Sequence, residues 1–263
     1  MHRILRNLGA WATAFGFDPR KSSAALRNLP TTLKELRQLK RQNSALDDKW
    51  SIQVLPPYFQ DRNDSGGTAT GHYFHQDLLV ARRIYQRNPK KHVDVGSRVD
   101  GFVAHVAVFR EIEVFDRRPI KSEVQNIIFR QDDLMDPVSD LVDYCDSLSC
   151  LHALEHFGLG RYGDEIDAEG YVKGFQSLTQ MLTKGGTLYL SLPIGRERIE
   201  FNGQRVFSIK RVHGLFRDHF QLQAFSYVDD AGDLHEGVDT IEKGMNDDFG
   251  LQFGCGIFEL SKL

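Results

Sequence analysis

Apolar residues near the start of the chain recur at helical spacing: Ile4, Leu5, Leu8, Trp11, Ala12 and Phe15 form one stripe, and Leu29, Leu33, Leu36 and Leu39 a second. Two short helices are predicted there. The stretch from Asp61 to Gly71 is polar and glycine-rich, which predicts a loop able to cover a site. Beyond it the period of the pattern alternates. His75 to Asn88 reads as a helix ended by Pro89, and His92-Val-Asp-Val-Gly96 as a short strand closed by glycine. A helix over 101–109 and strands over 111–115, 126–130 and 147–151 follow, then a helix around 168–183 and a strand over 187–192. Parallel strands need long crossovers, so this alternation predicts a mostly parallel sheet with helices on both faces. Residues 220–228 and 255–261 read as two further strands without a crossover helix between them, so they can pair antiparallel. The expected division is a basic helical segment over 1–50 and one α/β domain over 51–263.

Composition narrows the class without naming a chemistry. With 41% hydrophobic and 26% charged residues, the 263-residue chain is ordinary for a globular protein. Cys145, Cys150 and Cys255 form no CxxC pair, which fits a reduced, cytoplasmic setting better than a disulfide framework. No apolar run reaches the roughly 18 residues of a membrane span, and a cleaved signal is not expected. Charge is uneven: residues 1–43 hold nine Lys/Arg against two acids, and the remainder holds 24 against 34. Such a front either contacts the anionic inner face of a membrane or packs its apolar stripes on the main domain. The acidic body disfavours specific nucleic-acid binding.

The residues at the strand ends carry a resemblance. His92-Val-Asp94-Val-Gly96-Ser97-Arg98-Val-Asp100-Gly101, followed 22 residues after Asp94 by Asp116, then Asp132-Asp133-Leu134, Leu151-His-Ala-Leu-Glu155-His156 and Lys184-Gly-Gly-Thr187, resembles the class I S-adenosylmethionine-dependent methyltransferases. With Gly158-Leu-Gly-Arg161-Tyr162-Gly-Asp164, it is similar over about residues 50–263 to a methyltransferase-like family catalogued only as a domain of unknown function. The resemblance implies a Rossmann-like, doubly wound, seven-stranded sheet, mostly parallel with an antiparallel C-terminal strand. It implies S-adenosylmethionine at Asp94, Gly96, Ser97, Arg98 and Gly101, at Asp116 for the ribose, and at Asp132, Asp133 and Leu134 for the adenine. Leu151 and Glu155 belong to the same set. Arg98 and Asp100 stand where the family commonly has glycine.

The expected activity is methyl transfer, with O-methylation of a small or carbohydrate-type acceptor as the concrete form, because no protein- or nucleic-acid-recognition domain is apparent. His156 is the first candidate base and Asp164 the second, since a hydroxyl acceptor must lose its proton near neutral pH. Arg161, Tyr162 and Arg198 are candidates for holding the acceptor. No metal is expected. Three other readings stand beside this one. The altered glycine loop allows an inactive binding module, and His152-Ala-Leu-Glu155-His156 matches the HxxEH pattern of inverted zinc peptidases, which need both histidines on a helix. A nicotinamide oxidoreductase would need GxGxxG, which GSRVDG lacks.

Overall fold

The computed structural model describes residues 11–53, 58–59, 62, 66–136, 141–238 and 241–263. Ile4, Leu5 and Leu8 of the first predicted stripe lie outside the described residues, as do Asp61, Asn63, Asp64 and Ser65 of the predicted loop. Contacts divide the chain into two units, Met1–Thr68 and Ala69–Leu263.

In the first unit the second stripe belongs to one long helix, α1 (Pro19–Ser44), rather than a short one. Its start is dictated locally. Asp18 caps it by accepting from the backbone N–H of Arg20 at 2.9 Å and Lys21 at 3.1 Å, and Pro19 enters with its φ already helical. None of its residues is buried, and Leu29, Leu33 and Leu39 are exposed. Among the described residues no helix is long and apolar enough to cross a membrane.

The second unit holds the alternation. Its elements are α2 (His72–Arg87), β1 (His92–Val95), α3 (Ala104–Ala107), β2 (Ile112–Asp116), β3 (Ile127–Gln131), β4 (Cys145–Leu151), α4 (Gly170–Met181) and β5 (Leu182–Ile194). They are followed by β6 (Arg198–Glu200), β7 (Gln204–Val206), α5 (Ile209–Phe216), β8 (Phe220–Val228), β9 (Leu234–His235) and β10 (Gly254–Lys262). The main sheet runs β3-β2-β1-β4-β5-β10-β8-β9. The first five strands are parallel, and β10 enters antiparallel between β5 and β8. This is the doubly wound order of the class I methyltransferase fold, extended at one edge by the two-residue β9.

Strand alternation sends Val93, Val95 and Phe115 to one face, where they pack with Phe175 and Leu178 of α4 and Val212 and Phe216 of α5. Ile112, Val114, Tyr189 and Ile257 face the other way, onto Leu79, Val80 and Ile84 of α2. A sheet covered on both faces explains why its central strands β1 and β4 are buried almost throughout, polar His92, Asp94, Ser147 and Ser149 included.

One predicted element is changed, two elements were not foreseen, and one rival reading is resolved. The predicted helix 101–109 is a π-turn, Val99–Val103, leading into the single turn of α3. Gly101 departs from helical angles there, and Asp77 of α2 comes close to it: a Cβ at 101 would lie 2.6 Å from its Oδ2. Helix α5, capped by the Ser208 hydroxyl, and the β6–β7 hairpin were not expected from the pattern. The HxxEH segment is a strand end followed by one 3-10 turn, Leu154–His156, so His152 and His156 share no helical face and the peptidase reading loses its geometry.

Candidate functional site

The turns after β1, β2, β3 and β4 open onto one cleft of about 600 Å³. That is where a doubly wound sheet offers a ligand the most backbone and the fewest obstructing side chains, at the carboxyl ends of its strands. Gly96, Ser97 and Arg98 line its floor, Asp116 its β2 side, Asp132, Asp133 and Leu134 its β3 side, and His156, Arg161, Tyr162 and Asp164 the segment after β4. The fold thus brings together eleven residues that lie up to 68 positions apart in sequence.

Asp94, Gly101, Leu151 and Glu155 do not line the cleft but lie behind or beside it. Asp94 is fully buried. Its Oδ1 accepts from the hydroxyls of Ser97 and Ser149, each at 2.6 Å, and its Oδ2 accepts from the Ser97 N–H at 3.0 Å. The Ser97 hydroxyl in turn accepts from the Leu151 N–H at 3.1 Å, which ties the end of β1 to the end of β4. Burial pushes the Asp94 carboxyl up to about 6, although the serine hydrogen bonds oppose it. Gly96 turns at φ +71°, where a Cβ would meet that of Ala153 at 2.9 Å. The turn is therefore shaped for glycine.

Arg198 is also outside the cleft. It pairs with Glu200 and donates to the carbonyls of Arg196 and Gln252, holding the β6–β7 hairpin to the segment before β10. Nothing places its guanidinium at an acceptor.

Several charges inside the cleft are paired. Arg118 donates to both oxygens of Asp116, at 3.0 Å from Nε and 2.7 Å from the terminal nitrogen. Arg117 joins Asp133 to the Gly163 carbonyl, and Arg98 lies on Asp100. Tyr162 presents its ring between Arg118 and Arg161, with guanidinium carbons 4.2 and 5.2 Å from the ring centre.

The two candidate bases differ in freedom. The Asp164 carboxylate accepts from the N–H groups of Gly160 at 3.1 Å and Tyr162 at 3.2 Å. Burial opposes these bonds, yet they hold its carboxyl below the ordinary value, so it serves the turn and is a weak base. His156 is 7% exposed and its Nδ1 donates to the Gly203 carbonyl at 2.7 Å. That bond assigns the lone pair to Nε2, which lies 3.7 Å from Glu155. Burial lowers its pKa, keeping the ring neutral.

Several lining residues escaped the sequence reading. Tyr73, in the first turn of α2, stacks a tilted ring against His152 at 5.2 Å and lies beneath Arg98. His72 stacks flat on His152 at 5.1 Å, and burial lowers its pKa to about 4. The run His72-Tyr-Phe-His75 behind a glycine-rich stretch was the available signal, but it sits before the first strand and matches no motif. Arg117 and Arg118 likewise line the cleft, as does His152, which the sequence offered only as part of the HxxEH pattern.

A family model described as "Caenorhabditis protein of unknown function, DUF268" matches residues 110–242. No curated protein matches in sequence. Among solved structures, the chain is similar to the N-methyltransferase NodS of Bradyrhizobium japonicum WM9 in complex with S-adenosyl-L-homocysteine, at 11% identity and a TM-score of 0.48, over 86% of this chain and 97% of that one. It is similar to the 1,6-didemethyltoxoflavin-N1-methyltransferase of Burkholderia thailandensis, at 12% identity and 0.49, over 71% and 78%. It is also similar to the [4+2]-cyclase SpnF, at 15% identity and 0.49, over 92% and 95%.

Proposed function

We propose that this chain, which belongs to the DUF268 family, binds S-adenosylmethionine in the cleft at the strand ends and methylates a hydroxyl of a small or carbohydrate-type acceptor. The observation that carries the reading is the joint placement of the Gly96 turn, Asp116 and the Asp132–Leu134 segment around one cleft of sufficient size. The donor set fits the cofactor's chemistry. Asp116 can accept from a ribose diol once Arg118 swings toward Tyr162, Asp132 can accept from an adenine amino group, and the glycine turn lets backbone approach closely. Bound there, the cofactor would supply an electrophilic methyl group.

The chain's own residues would then do three things. Ser97, held by Asp94, keeps the β1 turn against β4 and the floor of the cleft in shape. Arg161 and Tyr162 offer a charged donor and a ring face to a hydroxyl-rich acceptor. His156, neutral and with its lone pair on Nε2, takes the acceptor's proton as the oxygen is alkylated. Alignment and exclusion of water supply the remainder of the catalysis.

A second reading has its own support, because the Asp116–Arg118 pair occupies the ribose acceptor and Arg98 and Asp100 replace small residues in the turn. It makes the chain a methyltransferase-like binding module. Calorimetry with S-adenosylmethionine and S-adenosylhomocysteine separates the two. Under our proposal both ligands bind, and Asp116→Ala weakens them by about 1–3 kcal/mol, the worth of hydrogen bonds to a charged acceptor. Absence of binding by the unaltered chain supports the module and rejects methyl transfer. Unchanged affinity in a folded Asp116→Ala chain rejects the ribose assignment.

A further inference from the structure

Three side chains distant in sequence meet beside the cleft. His72 is the first residue of α2, His152 follows β4, and Cys255 is the second residue of β10. One ring nitrogen of each histidine and the Cys255 sulfur all lie within 4.8 Å of one another. His152 and Cys255 are buried, and the two imidazoles are stacked within 2° of parallel.

The hydrogen bonding gives this cluster a direction. His152 Nδ1 donates to Glu155 Oε1 at 2.8 Å, and Glu155 is fully buried. That bond leaves the lone pair on Nε2, and Nε2 is buried without a hydrogen-bond partner. Buried polar atoms without partners are rare enough to require an explanation. A carboxylate behind a histidine whose far nitrogen is bare is the arrangement that orients metal-binding imidazoles. Phe253 packs its ring on His72 at 5.3 Å.

We propose that His72, His152 and Cys255 form a three-ligand site for a zinc ion, with Glu155 as the carboxylate that orients His152. Imidazole nitrogen and thiolate sulfur are the donors zinc prefers, and three protein ligands leave a fourth position for water or an acceptor atom. The charges balance: the divalent ion is offset by the Cys255 thiolate and the Glu155 carboxylate, so a buried ion meets no net excess. Metal–ligand lengths near 2.0–2.3 Å need the three atoms closer than 4.8 Å, and because the in-plane lone pairs of parallel stacked rings do not converge on one point, binding requires the half-buried His72 ring to rotate out of the stack. His152 and Tyr73 line the cleft, which puts the ion next to it. The site does not depend on methyl transfer, since it is built without any residue assigned to the cofactor except Glu155.

The test uses the full chain, stripped with a chelator and titrated with Zn²⁺ against a chromophoric competitor, and separately with Co²⁺. One equivalent of Zn²⁺ is expected to bind. Co²⁺ is expected to give a near-ultraviolet thiolate charge-transfer band and intense visible bands of a four-coordinate ion. Cys255→Ser should abolish the charge-transfer band, and Glu155→Gln should lower affinity about 10–100-fold. No stoichiometric binding, a cobalt spectrum without the thiolate band, or unchanged affinity in Cys255→Ser and His152→Ala would each overturn the proposal. Selective retention of copper in place of zinc would overturn the ion assignment. The cobalt spectrum of the unaltered chain decides the matter even if a variant fails to fold. None of these readouts requires S-adenosylmethionine, so failure of the cofactor reading and failure of the metal site are distinguishable.

Discussion

Replacing Asp94 by Asn separates its two contributions, hydrogen bonding and buried charge. The asparagine carbonyl can take the place of Oδ1 and keep both serine hydroxyls, but its amide then points a donor at the Ser97 N–H, which the wild-type Oδ2 accepts at 3.0 Å. Loss of that bond in a fully buried place costs about 1–3 kcal/mol. The charge acts in the opposite direction. Burial raises the carboxyl from 3.8 to about 6 in the folded chain, so the native state binds the proton more tightly than the unfolded one. The stability from this group is fully present below about pH 4 and is lost as pH rises through about 6. The whole span is worth about 3 kcal/mol, and about 1 kcal/mol of it has returned at pH near 5 relative to neutrality. Asn has no such titration. The excess stability of wild type over Asp94→Asn should therefore widen by about 1 kcal/mol between neutral pH and pH near 5. Urea unfolding of both proteins at the two pH values measures it. Subtraction removes the parallel contribution of Asp77, whose carboxyl burial also pushes up to about 6. Parallel pH profiles for the two proteins would refute the claim that a buried, proton-binding carboxyl holds the β1 turn.

If His156 is the base, His156→Ala should leave cofactor affinity close to wild type while slowing turnover about 10²–10⁴-fold once an acceptor is in hand. Its pKa is lowered chiefly by burial, so the acid limb of the wild-type pH–rate profile should fall below 6.5 and vanish in the variant; joint loss of affinity and rate would make the residue a support of the turn. Arg205 is 4% exposed and donates to the carbonyls of Glu155, Phe157, Asp167 and Ala168, so Arg205→Met should destabilise the chain by about 1–3 kcal/mol by removing these bonds, above all the one to the buried Glu155. Thermal unfolding checks this, and wild-type stability would mean those carbonyls find water or other donors.

Much of the sheet was legible because local patterning and global fold agree. β8 spans residues 220–228 as expected, β4 and β5 merely extend the apolar runs that announced them, and Asn88 and Pro89 end α2 where backbone chemistry requires. The acids at the ends of β2 and β3 were legible through the resemblance, which implies an acid after each of these strands, and a doubly wound sheet places those ends on one edge. The sequence could not tell what those acids touch. Asp116 and Asp133 are held by Arg118 and Arg117, arginines adjacent to one another whose directions depend on the neighbouring turn around Gly163 and Tyr162. α5 and the β6–β7 hairpin were hidden because a helix of eight residues and strands of three carry too few periods to stand out. Most of all, spacing along the chain could pair His152 only with His156 in a helix that does not form. Tertiary structure gives His152 and His156 no shared helical face and sets His152, just after β4, against His72 and Cys255, from α2 and β10. Ligands assembled from three separate elements leave no periodic trace, since their proximity is created by strand order and packing, and only the folded sheet decides it.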